Sequence, residues 1–260
     1  MSCILNIDTS TNVCSVAVSQ DGACIFDKED HSGPNHAERL GAFVDEALSF
    51  IDNHAIPLDA VAVSCGPGSY TGLRIGVSMA KGICYGRDVK LLAVPTLELL
   101  CVPVLLREMV TDDDALLCPM LDARRMEVYV QLFTRSLREE VEEGALLCPM
   151  LDARRMEVYS AVYDRSLNTV RGIEANVVDA DTYREYLDKH PVYFFGNGAM
   201  KCKEVIDHPN AHFIEGIEAL AKNMLPLAER RMAREEFEDV AYFVPFYLKD
   251  FVAKQPRKLL

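Results

Sequence analysis

The first hundred residues alternate short apolar runs with longer amphipathic ones. Residues 3–8 and 13–19 are β-rich runs, and Gln20-Asp21-Gly22 separates the second from a third at 23–29. Glycine accepts the positive φ of a tight turn, so this spacing predicts a hairpin. Between 35 and 52, Leu40, Phe43, Val44, Ala47, Leu48 and Ile51 recur at helical spacing. A strand at 60–65, a glycine-rich loop, a helix at 71–86, a strand at 90–94 and a helix after Pro95 complete this half. The second half reads as shorter elements: strands at 115–121, 145–150, 156–163, 191–195 and 211–214, and a helix near 181–188. A last helix is expected over 217–235, its charged end a solvated face.

One repeat interrupts the pattern. Residues 115–129 read ALLCPMLDARRMEVY, and residues 145–159 repeat all fifteen letters. Arg-Ser-Leu recurs at 135–137 and 165–167, so the unit is 30 residues long, 115–144 and then 145–174. Architectural repeats diverge and usually number three or more. Two half-identical units point to a recent tandem duplication or an artificial scar. Each copy reads as strand, turn, strand. Only one hairpin fits a given place in a sheet, so the other is expected at an edge, outside, or against a neighbouring chain.

Charge and cysteines narrow the class. The net charge is −13, from 27 basic and 40 acidic residues. Such a surface repels a polyanion, which argues against strong direct binding of nucleic acid. The nine cysteines form no Cys-x-x-Cys pair and mostly sit in apolar segments, as small buried hydrophobes kept reduced. No apolar run reaches the ~18 residues that span a bilayer. The N-terminus reads as a buried strand rather than a signal peptide, so a cytoplasmic, non-membrane protein is expected.

Candidate chemistry is sparse. Gly66-Pro67-Gly68-Ser69-Tyr70-Thr71-Gly72-Leu73-Arg74-Ile75-Gly76 lies between a strand and a helix. Two readings are open: a tight strand-to-helix turn, or an anion site at the helix start. It is not a Walker loop, because no Lys-Ser/Thr follows in register. Asp8-Thr9-Ser10 ends the first strand, where a carboxylate either holds a phosphate-bound metal or makes a turn. Gly196-Asn197-Gly198 offers a second cradle. The candidate vestigial nucleotide-binding residues are therefore Asp8, Thr9, Gly66, Gly68, Ser69, Gly196 and Gly198. His208 and His212 have ligand spacing, but Pro209-Asn210 between them breaks a helix, and no metal site is expected.

The helix at 71–86 carries Gly72, Gly76, Ser78, Ala80, Gly82 and Gly86, which points to close approach of a second helix. The helix at 35–52 has an apolar band wider than one stripe. Either one face fills the core while another meets a partner, or the helix is buried on two sides. Leu40, Val44, Ala47, Gly76, Ala80 and Ile83 are the candidate partner surface.

The order of elements in the first half resembles a ribonuclease-H-like lobe, two of which make the actin-like ATPase (ASKHA) fold, an α/β class. The N-terminal Ile-Asp-Thr-Ser, the Gly66–Gly76 string, Asp-Ala-Arg-Arg-Met-Glu-Val-Tyr and the ending Pro245-Phe246-Tyr247-Leu248-Lys249 resemble the bacterial TsaB (YeaZ) family. That resemblance implies a first lobe over 1–110 and a second over 111–216. The tail, 217–260, is expected to return to the first lobe. It also implies a non-catalytic partner in formation of N6-threonylcarbamoyladenosine in tRNA. The implied partners are the catalytic paralogue TsaD and the ATPase TsaE, with a homodimer when alone. No cofactor is implied beyond ATP or ADP at the partner interface. The paralogue's His-x-x-x-His becomes His36-Ala37-Glu38-Arg39-Leu40 here, which removes a metal ligand. The rival from another class is an ATP-dependent small-molecule kinase or ATPase of the same fold.

Overall fold

The computed structural model describes residues 2–33, 35–106 and 169–247, with strand segments at 116–122, 127–130, 133–134, 150–153 and 157–163. Between 104 and 177 the backbone alone is described. The first sheet holds β1 (Cys3–Asp8), β2 (Cys14–Gln20), β3 (Ala23–Asp30), β4 (Ala60–Gly66) and β5 (Lys90–Pro95) in the order β3-β2-β1-β4-β5. β1, β2 and β3 are antiparallel, and β4 and β5 run parallel to β1. Asp21 and Gly22 both take positive φ at the β2–β3 turn, as the Asp-Gly spacing demands.

Helix α1 (His36–Asn53) and helix α2 (Tyr70–Arg87) cover one face of this sheet. Leu5, Ile7, Val16, Val61 and Val63 there meet Leu40, Val44, Ala47 and Ile51 of α1, and Val77, Ala80 and Ile83 of α2. On the other face, Ile4, Ala62, Leu92 and Val94 share one continuous core with α3 (Thr96–Leu106), β12 (Val192–Phe195) and α6 (Leu225–Ala233). Alternation along β1 feeds both cores, because successive side chains point to opposite faces.

The second sheet is built on β6 (Leu116–Asp122), β12 and β13 (Ala211–Ile214), which are parallel. It also takes β7 (Glu127–Val130), β8 (Phe133–Thr134), β9 (Met150–Ala153), β10 (Glu157–Tyr163) and β11 (Thr169–Val177). Strand β11 has no counterpart in the sequence reading, because Gly172 and the charges of Arg171 and Glu174 hide its alternation. Both copies of the repeated unit enter this one sheet. β6 pairs with β9 and β7 with β10, parallel and in register, so that Leu121 is the partner of Leu151 and Val128 that of Val158. That corrects the expectation that the second copy lies at an edge, outside the lobe or against a neighbouring chain, since β9 and β10 both have a strand on either side. Turn residues 123–126 and 154–156 lie outside the described residues.

The remaining helices are shorter than their periodicity suggests. The span 181–188 contains only α4 (Arg184–Leu187), and α5 (Ala199–Cys202) is equally brief. The expected helix over 217–235 resolves into a 3-10 turn, Ala221–Met224, followed by α6. Pro226 lacks an N–H and fits only the first turn of a helix, so it sets where α6 begins. No described helix is long and apolar enough to cross a membrane.

Candidate functional site

The end of β1 and the start of α2 interlock. Asp8, Thr9 and Ser10 are buried, and the Ser10 hydroxyl donates to Asp8 Oδ2 at 2.8 Å. The Ser10 N–H reaches Asp8 Oδ1 at 3.3 Å. The register that pairs Ile7 with Val63 places Asp8 beside Ser64. Burial pushes the Asp8 carboxyl up to about 6, while the Ser64 and Ser10 hydroxyls pull it back down. From the turn after β1, Thr9 Oγ1 donates to the Gly72 carbonyl at 2.8 Å, and the Ser10 carbonyl accepts from the Ser69 N–H at 2.7 Å. Ser69 caps α2, its hydroxyl accepting from the Gly72 N–H at 3.2 Å.

These contacts explain the glycines. A Cβ on Gly68 would overlap the Ser10 carbonyl, one on Gly72 the Thr9 carbonyl, and one on Gly76 the Thr9 hydroxyl. Gly66 takes a φ of +113°, and its missing Cβ would meet the Phe246 carbonyl at 2.7 Å. The backbone approaches the motif as the sequence required, but what approaches is the chain's own. Of the small residues of α2, Gly72 and Gly76 are explained by Thr9 rather than by a second helix; Gly82 and Gly86 have open space where a Cβ would stand.

An irregular strap, residues 237–247, completes this region. The Glu238 N–H donates to the Leu91 carbonyl at 2.9 Å, and the Phe246 N–H donates to the Cys65 carbonyl at 2.8 Å. Lys81 Nζ donates to the carbonyls of Ala241 and Phe243, and the Tyr247 ring lies 4.8 Å from Tyr70. Neither Lys81 nor Ser64 was singled out by sequence: each becomes special only through a contact with a distant segment.

Of the sequence candidates, Asp8, Thr9, Gly66, Gly68 and Ser69 are brought together. Gly196 and Gly198 follow β12 on the second sheet instead, Gly196 with a φ of +94° and Gly198 capping α5. The candidate partner surface needs correction. Leu40, Val44, Ala47, Gly76, Ala80 and Ile83 are all buried beneath α1 and α2, where they form the core with β1 and β4. Their apolar spacing marks the inward stripe. The outward rim between the helices is a shallow groove lined by Ala37, Ile75, Ser78, Met79 and Gly82, with Arg74 at its edge; of the six predicted residues Ile83 alone also lines it. Ile75, Met79 and Gly82 follow helical spacing, a signal the sequence did carry. The histidine left from the motif, His36, is buried, and its Nε2 donates to the Thr11 carbonyl at 2.8 Å.

Three comparisons bear on this arrangement. The family model for TsaD, tRNA N6-adenosine threonylcarbamoyltransferase, matches residues 30–145. Among curated proteins, the tRNA threonylcarbamoyladenosine biosynthesis protein TsaB of Bacillus subtilis is 35% identical over 130 residues, 50% of this chain and 54% of that protein. TsaB of Escherichia coli is 35% identical over 94 residues, 36% of this chain and 40% of that protein. The chain thus spans about half the length of the curated relatives it matches. Over 95% of this chain and all of its counterpart, the fold is similar to that of YeaZ from Pseudomonas aeruginosa, with a TM-score of 0.70 and 22% identity.

Proposed function

We propose, from its likeness to the TsaB proteins over about half their length, that the chain is a member of the TsaB (YeaZ) family and a non-catalytic partner subunit in tRNA threonylcarbamoyladenosine formation. In this reading it binds a TsaD-type catalytic subunit through the groove between α1 and α2. The observation that carries the non-catalytic part is the packing of the glycine motif. The backbones of Phe246, Ser10 and Thr9 stand where side chains would at Gly66, Gly68 and Gly72, and the Ser69 and Gly72 N–H groups already donate to the Ser10 carbonyl and the Ser69 hydroxyl. His36 is spent on a carbonyl of its own chain, and Leu40, where a second ligand would stand, is core. The apolar rim at Ile75 and Met79 supports the partner surface.

The reading extends to a two-lobed actin-like fold, a cytoplasmic location, a self-associated form when alone, and TsaE as a further partner. With a net charge of −13, recognition of tRNA falls to the partner. Two experiments test it. Copurification with a TsaD-type protein is expected, and its absence at micromolar concentrations contradicts the partner role. Calorimetric titration with magnesium and ATP is expected to give no heat of binding to the isolated chain. Micromolar binding would favour the kinase or ATPase reading.

A further inference from the structure

Strand β5 is the edge of the first sheet, and the strap is what covers it. Glu238 forms an antiparallel bridge with Leu91, so the strap begins as an added strand. Beyond the bridge it crosses to β4, where Phe246 reaches the Cys65 carbonyl. Val240 and Phe243, both half-buried, pack against the core that α1 and α2 cover. The carbonyls of Ala241 and Phe243, which face no strand, are collected by Lys81. Lys90 Nζ lies 5.6 Å from the Phe237 ring. Lys81 and Asp239 line the same shallow depression beside the strap. Outward, Tyr242 and Val244 stand exposed, as do parts of Phe237, Phe246 and Tyr247.

This is how folded domains hold an extended peptide: main-chain bonds to an exposed sheet edge, and side chains in alternate pockets. Within the strap itself the bonds are local: the Asp239 carboxylate accepts from the Ala241 and Tyr242 N–H groups, and its carbonyl accepts from the Phe243 N–H. The link to α6 is short and exposed at Arg234–Glu236, and Glu235 there takes a φ of +55°. We propose that the surface beneath the strap is a recognition groove for an extended segment. Residues 237–247 fill it in cis, and it accepts the same segment from a second copy of the chain.

The test uses the full chain. A site-specific protease sequence is placed between Glu235 and Glu236, the protein is folded, and the link is then cut. Gel filtration follows the released fragment, circular dichroism the body, and fluorescence anisotropy a labelled peptide of residues 237–247. The fragment is expected to stay bound after the cut and to exchange for excess labelled peptide. A peptide with Val240→Asp and Phe243→Asp is expected to fail. In the uncut chain the tethered strap competes at an effective concentration near millimolar, so apparent affinity should fall by about 100-fold or more. Lys81→Met in the cut protein is expected to speed exchange by roughly tenfold, as the clasp on two carbonyls is lost. Any of three results overturns the proposal. The fragment leaves a folded body that does not rebind the peptide; it stays but never exchanges; or the cut unfolds the body, which makes the strap an integral part of the core.

Discussion

Thr9 Oγ1 donates a hydrogen bond to the carbonyl oxygen of Gly72 across 2.8 Å, fastening the turn after β1 to the first turn of α2. The contact is possible only because Gly72 carries no side chain: a Cβ there would overlap the Thr9 carbonyl. Gly72→Ala must therefore push β1 and α2 apart. We expect a loss of about 1–3 kcal/mol, the usual cost of overpacking. Gly86→Ala is the control, since nothing stands near its missing Cβ and alanine favours a helix by about 1 kcal/mol. Chemical denaturation of the two variants checks the pair, and equal effects would contradict the fit.

Asp8 makes stability depend on pH. Its native pKa, about 6, stands above the ordinary 3.8 because burial disfavours the carboxylate. The native state therefore holds a proton that the unfolded state releases between pH 4 and 6. The contribution of Asp8 to stability is fully present below pH 4, falls as the pH rises to about 6, and is flat beyond. Asp8→Asn should remove this slope and raise stability at pH 7.5 by on the order of 2–3 kcal/mol. Denaturant midpoints from pH 4 to 8 measure it. A variant that keeps the slope would place the titrating group elsewhere.

Much of this half of the molecule was legible in the sequence. The Asp-Gly turn, the parallel strands and the run of glycines each have a local signature, and each occurs where its spacing placed it. What the glycines make room for was not legible. Thr9 is 63 residues from Gly72, and Phe246 is far beyond Gly66, so both contacts depend on the assembled fold. The choice between inward and outward faces of α2 failed for a related reason. Ala80 and Met79 are equally compatible with helical periodicity, and only the position of the sheet decides that Ala80 is core while Met79 lines the groove.

Deleting residues 130–159 tests the duplication. Removal of 115–144 gives the same sequence, because residues 115–129 and 145–159 are identical. Each remaining strand keeps a copy of the neighbours it has lost, as the in-register pairs of β6 with β9 and β7 with β10 imply. The shortened chain should fold and retain its partner, at a melting temperature no lower than that of the full chain. Thermal unfolding and copurification measure it. Loss of partner binding by the shortened chain alone would make the extra unit part of the working architecture.

The most direct test of the partner role compares two charge substitutions on neighbouring faces of the same helix pair. Val44 is buried in the core, so Val44→Asp should cost several kcal/mol of stability and lower binding only through unfolding. Met79 lines the open groove and is only half-buried against the core, so Met79→Asp should leave the chain folded at a modestly lower melting temperature while weakening binding to a TsaD-type protein by about 100-fold or more. The measurement is the dissociation constant of the folded Met79→Asp chain for that protein, against wild type at the same salt concentration. A loss of that size in a variant that is still folded at the assay temperature is the expected result. Wild-type affinity in the folded variant would contradict the assignment of the α1–α2 groove as the partner surface.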